Sequence, residues 1–418
     1  MKPRSKVRKG PLFGLLLVMS LLVTTLLPAT ASATRRADCA QESLGLTPLI
    51  DMGTDTYQGV PGGLYPDGSN RAPVDHQELG VRLAAHVGPL DRNGNPDIGG
   101  SIGFISIGVS NTNYDWEGFT TVVSNSSAVN PQVVLVNGGV SGQPLAVWLD
   151  PAGVPWDHVE ARIAEAGLSE AQVQVAWVML PDRPPSRPPF PERQVEYRDQ
   201  LKQVLTLLKT EFPNLTLAYI SSLQWVGYGT ANIVEPSSGY EMGFGVKWTI
   251  EDQIEGDPSI NATPELGPLR APWIAWGPYT WADGLNPRSD GLTWVCSDYR
   301  VDGYHSSESG SLKIGGMLLD FLSAEDTATA WFLGDGVEPA APITTAAAAP
   351  STTVASAETT TTIFASAPPI AATTTSGHRP TTTAEGRPVE LSPQWPWIVA
   401  VGAVMLLVIA WVVRRRNP

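Results

Sequence analysis

The sequence predicts an α/β domain whose mainly parallel, doubly wound sheet is covered by helices on both faces. Three observations predict it. Short apolar runs rich in β-branched residues recur along the chain, and amphipathic stretches of helical period lie between them. The roughly 300 residues from Asp38 to Gly336 are enough for one large domain with a sizeable core. Strands that alternate with helices form parallel sheets buried on both faces.

The elements follow in order. Ser101 to Gly108 reads SIGFISIG, a buried strand that ends in glycine. Gln132 to Val136, Val173 to Met179 and Leu215 to Ile220 have the same character. Pro155 to Ala166 carries Val159, Ile163 and Ala166 at helical spacing. Glu192 to Phe212 is a longer amphipathic stretch, with Val195, Leu201, Val204, Leu205 and Leu208 on one stripe. A last helix, Ser309 to Leu322, follows the segment Asp302 to Ser307. In such sheets the active site lies at the carboxyl ends of the strands.

The two ends have other roles. Residues 1–33 have the form of an export signal: Lys2, Arg4, Lys6, Arg8 and Lys9, an apolar run from Leu12 to Leu27, then Ala31-Ser32-Ala33. Residues 395–413 contain no charge and as a helix span about 28 Å, one hydrocarbon core. Trp395, Trp397 and Trp411 lie near its ends, and Arg414, Arg415 and Arg416 follow. The expected topology is single-pass, with the ectodomain outside the cell membrane and a cytoplasmic tail at 414–418. Residues 340–390 are Thr, Ala, Pro and Ser with few large apolar groups, so a disordered stalk is expected, with His378 solvated within it.

The net charge of −14 argues against nucleic acid or an anionic membrane surface as partner of the domain 38–336. Two cysteines, Cys39 and Cys296, suit a disulfide outside the cell. Lipidation of Cys39 is disfavoured, since Arg35 and Arg36 precede it and no lipobox is present.

Three features at strand ends carry the chemistry. Gly108-Val109-Ser110-Asn111 follows the first strong strand, so Ser110 is either a nucleophile at the carboxyl edge or a turn or cap residue. Asn137-Gly138-Gly139-Val140-Ser141-Gly142 follows the second, and a glycine-rich turn lets backbone N–H groups approach an oxyanion unless it is a plain tight turn. Asp302-Gly303-Tyr304-His305 stands before the last helix. An Asp three residues ahead of a His can accept from one ring nitrogen and leave the other free as a base.

With these blocks in this order, the stretch from Ile102 to Leu322 resembles the SGNH/GDSL hydrolases. The resemblance is best at Asp302 to Gly310 and holds at Asn137 to Gly142. It implies a flavodoxin-like three-layer sandwich, Ser110 as nucleophile, Gly142 as a backbone oxyanion donor, His305 as base and Asp302 as its orienting acid. It implies no metal and no organic cofactor. Gly-Val-Ser-Asn stands where the family usually has Gly-Asp-Ser, and is similar to the Gly-x-Ser-Asn variant of its carbohydrate acetylesterase branch. The third block lacks the family's Asn, the strand ending Trp177-Val178-Met179-Leu180-Pro181-Asp182-Arg183. Asn111 is then the substitute donor, or the site is slow or inactive.

Ala271 to Trp294 is dense in aromatics, with Trp273, Trp276, Tyr279, Trp281 and Trp294 among Asp283, Asn286, Arg288 and Asp290. Exposed, these indoles would bind sugar rings; buried, they would fill a core under a long loop. Asp91 to Asp97 spaces oxygens as calcium loops do, but Pro96 takes the sixth place, where the turn needs Gly. His76, His86 and His158 stand in no motif. The expected function is a membrane-anchored extracellular serine esterase acting by an acyl-enzyme, with O-acetylated glycan as the substrate class. The rivals are an impaired SGNH-like domain that binds surface glycan or protein, and a structural envelope protein with His305 buried far from Ser110.

Overall fold

A computed structural model of the chain describes residues 37–182, 188–229 and 235–334. The expected leader, stalk, membrane helix and tail lie outside them. Among the described residues no helix is long and apolar enough to cross a membrane.

Five parallel strands form the central sheet: β1 (Ile102–Gly108), β2 (Val133–Gly139), β3 (Val173–Met179), β4 (Leu217–Ile220) and β5 (Trp273–Trp276). Their order is β2-β1-β3-β4-β5. Every residue of β1 and β3 is buried, as expected of strands covered on both faces, where period-two alternation is lost. β2 lies at one edge and is half-buried along its first three residues.

Six longer helices flank the sheet: α1 (Val74–Ala84), α2 (Ser110–Ser124), α3 (Val154–Glu165), α4 (Glu192–Glu211), α5 (Ser238–Ile254) and α6 (Glu308–Ala324). α2 packs on α6 and α4 on α5, while α3 lies against β2 and α1 against β4. The arrangement is consistent with a three-layer sandwich.

The register decides where the loops emerge. Gly108 pairs with Gly139 of β2 and with Met179 of β3, so three strands end at one level. The chain leaves β1 for the edge strand β2 and then crosses to β3 on the other side. This reversal opens a crevice at the carboxyl ends. Ser110 stands at its floor as the first residue of α2, and the helix start is tied to β3. The Val109 N–H donates to Thr112 Oγ1 at 3.1 Å, and the Thr112 hydroxyl donates to the Met179 carbonyl at 2.5 Å.

The segment expected to be an aromatic loop contains β5 itself. Trp273, Trp276, Trp281 and Trp294 are at most 3 % exposed, so the sugar-platform reading is corrected: these rings are core. Three indole N–H groups donate inward, Trp273 to the His76 carbonyl, Trp276 to Leu64 and Trp294 to Thr280. The polar residues between them also have structural partners. Asp283 accepts from Ser43 and from the Leu44 and Gly45 N–H groups, and Arg288 bonds the Tyr279 and Trp281 carbonyls and Asp290. His76 is buried with Nε2 2.9 Å from the Ile274 carbonyl, and burial lowers its pKa despite that bond.

Cys39 and Cys296 form the expected disulfide, with Cα atoms 5.5 Å apart, an ordinary bridging distance. It straps the N-terminal segment to the loop ahead of α6. The Ala37 N–H donates to Val301 at 2.7 Å and the Asp38 N–H to Tyr228 at 2.8 Å.

Candidate active site

Ser110 and His305 are 195 residues apart in sequence, yet Ser110 Oγ lies 2.8 Å from His305 Nε2. The other ring nitrogen, Nδ1, lies 2.7 Å from Asp302 Oδ2. The second carboxylate oxygen, Oδ1, accepts from the backbone N–H groups of Tyr304 and His305, each at 3.0 Å. Asp302 is thus held by its own loop, as its spacing from His305 predicts. Partial burial works against its charge. The bonds from the His305 ring and from the two N–H groups outweigh that and hold the carboxyl below the usual carboxylate range. With Nδ1 facing a carboxylate, the proton belongs on Nδ1 and Nε2 is the acceptor toward Ser110.

These groups open into a cavity of about 250 Å³ lined by Val109, Ser110, Tyr114, Gly142, Pro144 and Pro181, with Ser141, Tyr304 and His305 completing the wall. Apart from the Ser–His pair the lining is apolar or uncharged. Tyr114 is half-buried one helical turn after Ser110. Its ring meets the His305 ring edge-on at 5.6 Å, and the Arg300 guanidinium lies 3.7 Å over its centroid. Helical spacing from Ser110 would have found Tyr114, had α2 been read from the sequence.

The Gly-rich block divides into two parts. Asn137, Gly138 and Gly139 belong to β2 and not to a turn after it. A Cβ on Gly139 would stand 2.6 Å from the Asn113 N atom, so this glycine lets the strand end meet α2. The Asn137 side chain is used locally, donating to the Asn113 carbonyl and accepting from the Gly139 N–H. The true turn comes later. Gly142 has φ 76° with open space where a side chain would be, and it lines the cavity.

Two further expectations meet different geometry. Asn111 is corrected as a substrate or oxyanion ligand. Its side chain is fully buried, donating Nδ2 to the Tyr304 carbonyl and accepting at Oδ1 from the Ser306 N–H, each at 3.3 Å. At the end of β3, Pro181 lines the cavity and has no N–H to offer. Its neighbour Asp182 is held by buried Arg193, with Nε to Oδ2 at 2.9 Å and Nη2 to Oδ1 at 2.7 Å.

The Asp91 loop is an Asx turn. Asp91 Oδ1 accepts from the Asn93 and Asn95 N–H groups at 2.8 and 2.9 Å. Among the described residues no group of three or more His, Cys, Asp or Glu is placed to hold a metal.

No protein-family model matches the chain, and no curated protein matches it in sequence.

Proposed function

We propose that the domain is a serine esterase of the SGNH type on a flavodoxin-like sandwich, cutting carboxylic esters with short acyl groups through an acyl-enzyme. The observation that carries this reading is the unbroken chain Ser110 Oγ, His305 Nε2, His305 Nδ1, Asp302 Oδ2 at 2.8 and 2.7 Å, opening into a cavity. The volume of about 250 Å³ lies below the usual range for small-molecule sites, which favours a short acyl group.

In the proposed cycle Ser110 Oγ attacks the ester carbonyl while His305 Nε2 takes the hydroxyl proton. Asp302 holds the ring and balances the imidazolium. The tetrahedral oxyanion is met by the N–H of Ser110, which at a helix start has no carbonyl one turn back, and by the N–H of Gly142. His305 then gives its proton to the departing alkoxide. Water, deprotonated by His305, attacks the acyl-Ser110 ester, releasing the acid and restoring the serine. With no Asn in the segment after β3, where the family supplies a donor, one oxyanion contact is absent. That costs on the order of 10²–10³ in rate, so slow turnover is expected.

The glycan preference loses its support, since the indoles invoked for it are buried. The absent third donor favours a second reading, an SGNH-like domain that binds an ester or a partner without turning it over. The proposed location is outside the cell, tethered by residues 395–413.

The test is hydrolysis of p-nitrophenyl acetate and covalent labelling by a fluorophosphonate, comparing the full chain with Ser110→Ala. Activity and label that vanish in the variant support the esterase. Equal rates with no label on either protein leave the binding module.

A further inference from the structure

Asn111 follows the nucleophile directly, is fully buried and does not itself line the cavity. Its carboxamide contacts two backbone groups, the Tyr304 carbonyl and the Ser306 N–H, which flank His305 on either side. One is an acceptor and the other a donor, so a single orientation of the amide satisfies both. Ser110 and Asn111, consecutive in the first turn of α2, therefore make three contacts to residues 304–306: hydroxyl to ring, amide N–H to carbonyl, and amide carbonyl to N–H.

The same short stretch is also held from within its own loop, where Asp302 Oδ1 accepts from the Tyr304 and His305 N–H groups. The Arg300 N–H donates to the His305 carbonyl at 2.8 Å, Arg300 Nε to the Ser306 carbonyl at 3.0 Å, and Gln224 Nε2 to Ser306 Oγ at 2.9 Å. These bonds order the loop within itself or against the β4 side of the site. Asn111 ties the backbone on both sides of His305 to the helix that carries Ser110.

We propose that Asn111 is a positioning residue: its amide brackets His305 and sets Nε2 in register with Ser110 Oγ. This rests on the esterase reading and deepens it. The residue after the nucleophile then acts through the base and not on the substrate. It accounts for a polar side chain at a site with no exposure, where an unsatisfied amide would be costly.

The test uses the full chain with Asn111→Leu, which holds the side-chain volume, and Asn111→Ser, which leaves room for water if Leu prevents folding. Three readouts are taken: kcat and KM for p-nitrophenyl acetate, the rate of Ser110 labelling, and amide hydrogen exchange over residues 304–306. A displacement of the base of about 1 Å should lower kcat and labelling on the order of 10²-fold, with KM within about twofold of wild type. Exchange at Ser306 should quicken while exchange in β1 and β3 is unchanged. A kcat within threefold of wild type in a folded variant overturns the proposal, as does unaltered exchange at Ser306. A wild-type chain with neither Ser110-dependent hydrolysis nor label would overturn the esterase reading instead. The exchange data alone would then decide whether Asn111 holds the loop.

Discussion

Replacing Gly118 by Ala tests whether the nucleophile and the base are held together by helix packing. α2 and α6 approach backbone to backbone at this point. A Cβ on Gly118 would stand 2.1 Å from the Ser311 carbonyl oxygen, and one on Gly315 would stand 2.5 Å from the Gly118 carbonyl carbon. Ordinary contact begins near 3.4 Å, so the new methyl is short of room by 3.4 − 2.1 = 1.3 Å. The blocking atom is main chain, which cannot swing aside as a side chain would. The helices must therefore separate by about 1 Å. Ser110 opens α2 two turns before Gly118, and His305 lies just ahead of α6. Carried rigidly, the separation lengthens the Ser110–His305 contact from 2.8 Å to about 3.8 Å, beyond hydrogen-bond range. The expected cost is on the order of 10²-fold in kcat/KM for p-nitrophenyl acetate. Stability should fall by roughly 1–3 kcal/mol, a Tm lower by roughly 2–12 °C in a domain of this size. A stability loss in that range with kcat/KM within threefold of wild type would refute the reasoning, because the helix contact would then not set the catalytic distance.

Other outcomes follow from single groups. Asp302→Asn should lower kcat by about 10⁴, the loss such a change brings when the wrong tautomer faces the serine. The Asp302 pKa is lowered in the folded chain, so the stability it contributes is complete above its ordinary value of 3.8 and is lost as pH falls through the lowered one. The unfolding free-energy difference between wild type and Asp302→Asn should therefore shrink on acidification; growth would contradict this. Asp115 behaves oppositely: it is fully buried, and burial pushes its carboxyl well above the usual range despite the neighbouring Ser306 side chain. Its cost to folding appears as pH rises above 3.8, so Asp115→Asn should be more stable than wild type at pH 7, with the gap closing toward pH 4. Lower stability of the variant at pH 7 would refute that. Cys39→Ser should cost about 2–5 kcal/mol in urea unfolding, matched by wild type under reductant, because the bridge closes a loop of 257 residues. A loss below about 1 kcal/mol would show that the strap does not restrain the unfolded chain.

Local period and spacing make part of this fold readable along the chain. β1 and β3 were legible because a strand covered on both faces is apolar at every position, and α4 because one stripe recurs every 3.6 residues. Asp302 and His305 were legible because three residues of spacing suffice to close their bond. Three elements were not. α2 begins with Ser-Asn-Thr-Asn, a run that reads as a turn, and is a helix because Thr112 and the end of β3 fasten its start. α5 is buried on nearly every side and so shows no amphipathic stripe. β5 is only four residues long, and its indoles look the same in a sequence whether they face sugar or core. The remaining features come from packing between elements. This packing joined Cys39 to Cys296, placed Pro181 on the cavity wall, turned Asn111 from the substrate toward the base, and closed 195 residues between Ser110 and His305 to 2.8 Å. Periodicity and spacing report the neighbours a residue has along its own helix or strand. Contacts between elements depend on sheet register and on how closely two helices can approach, which are properties of the whole packed chain.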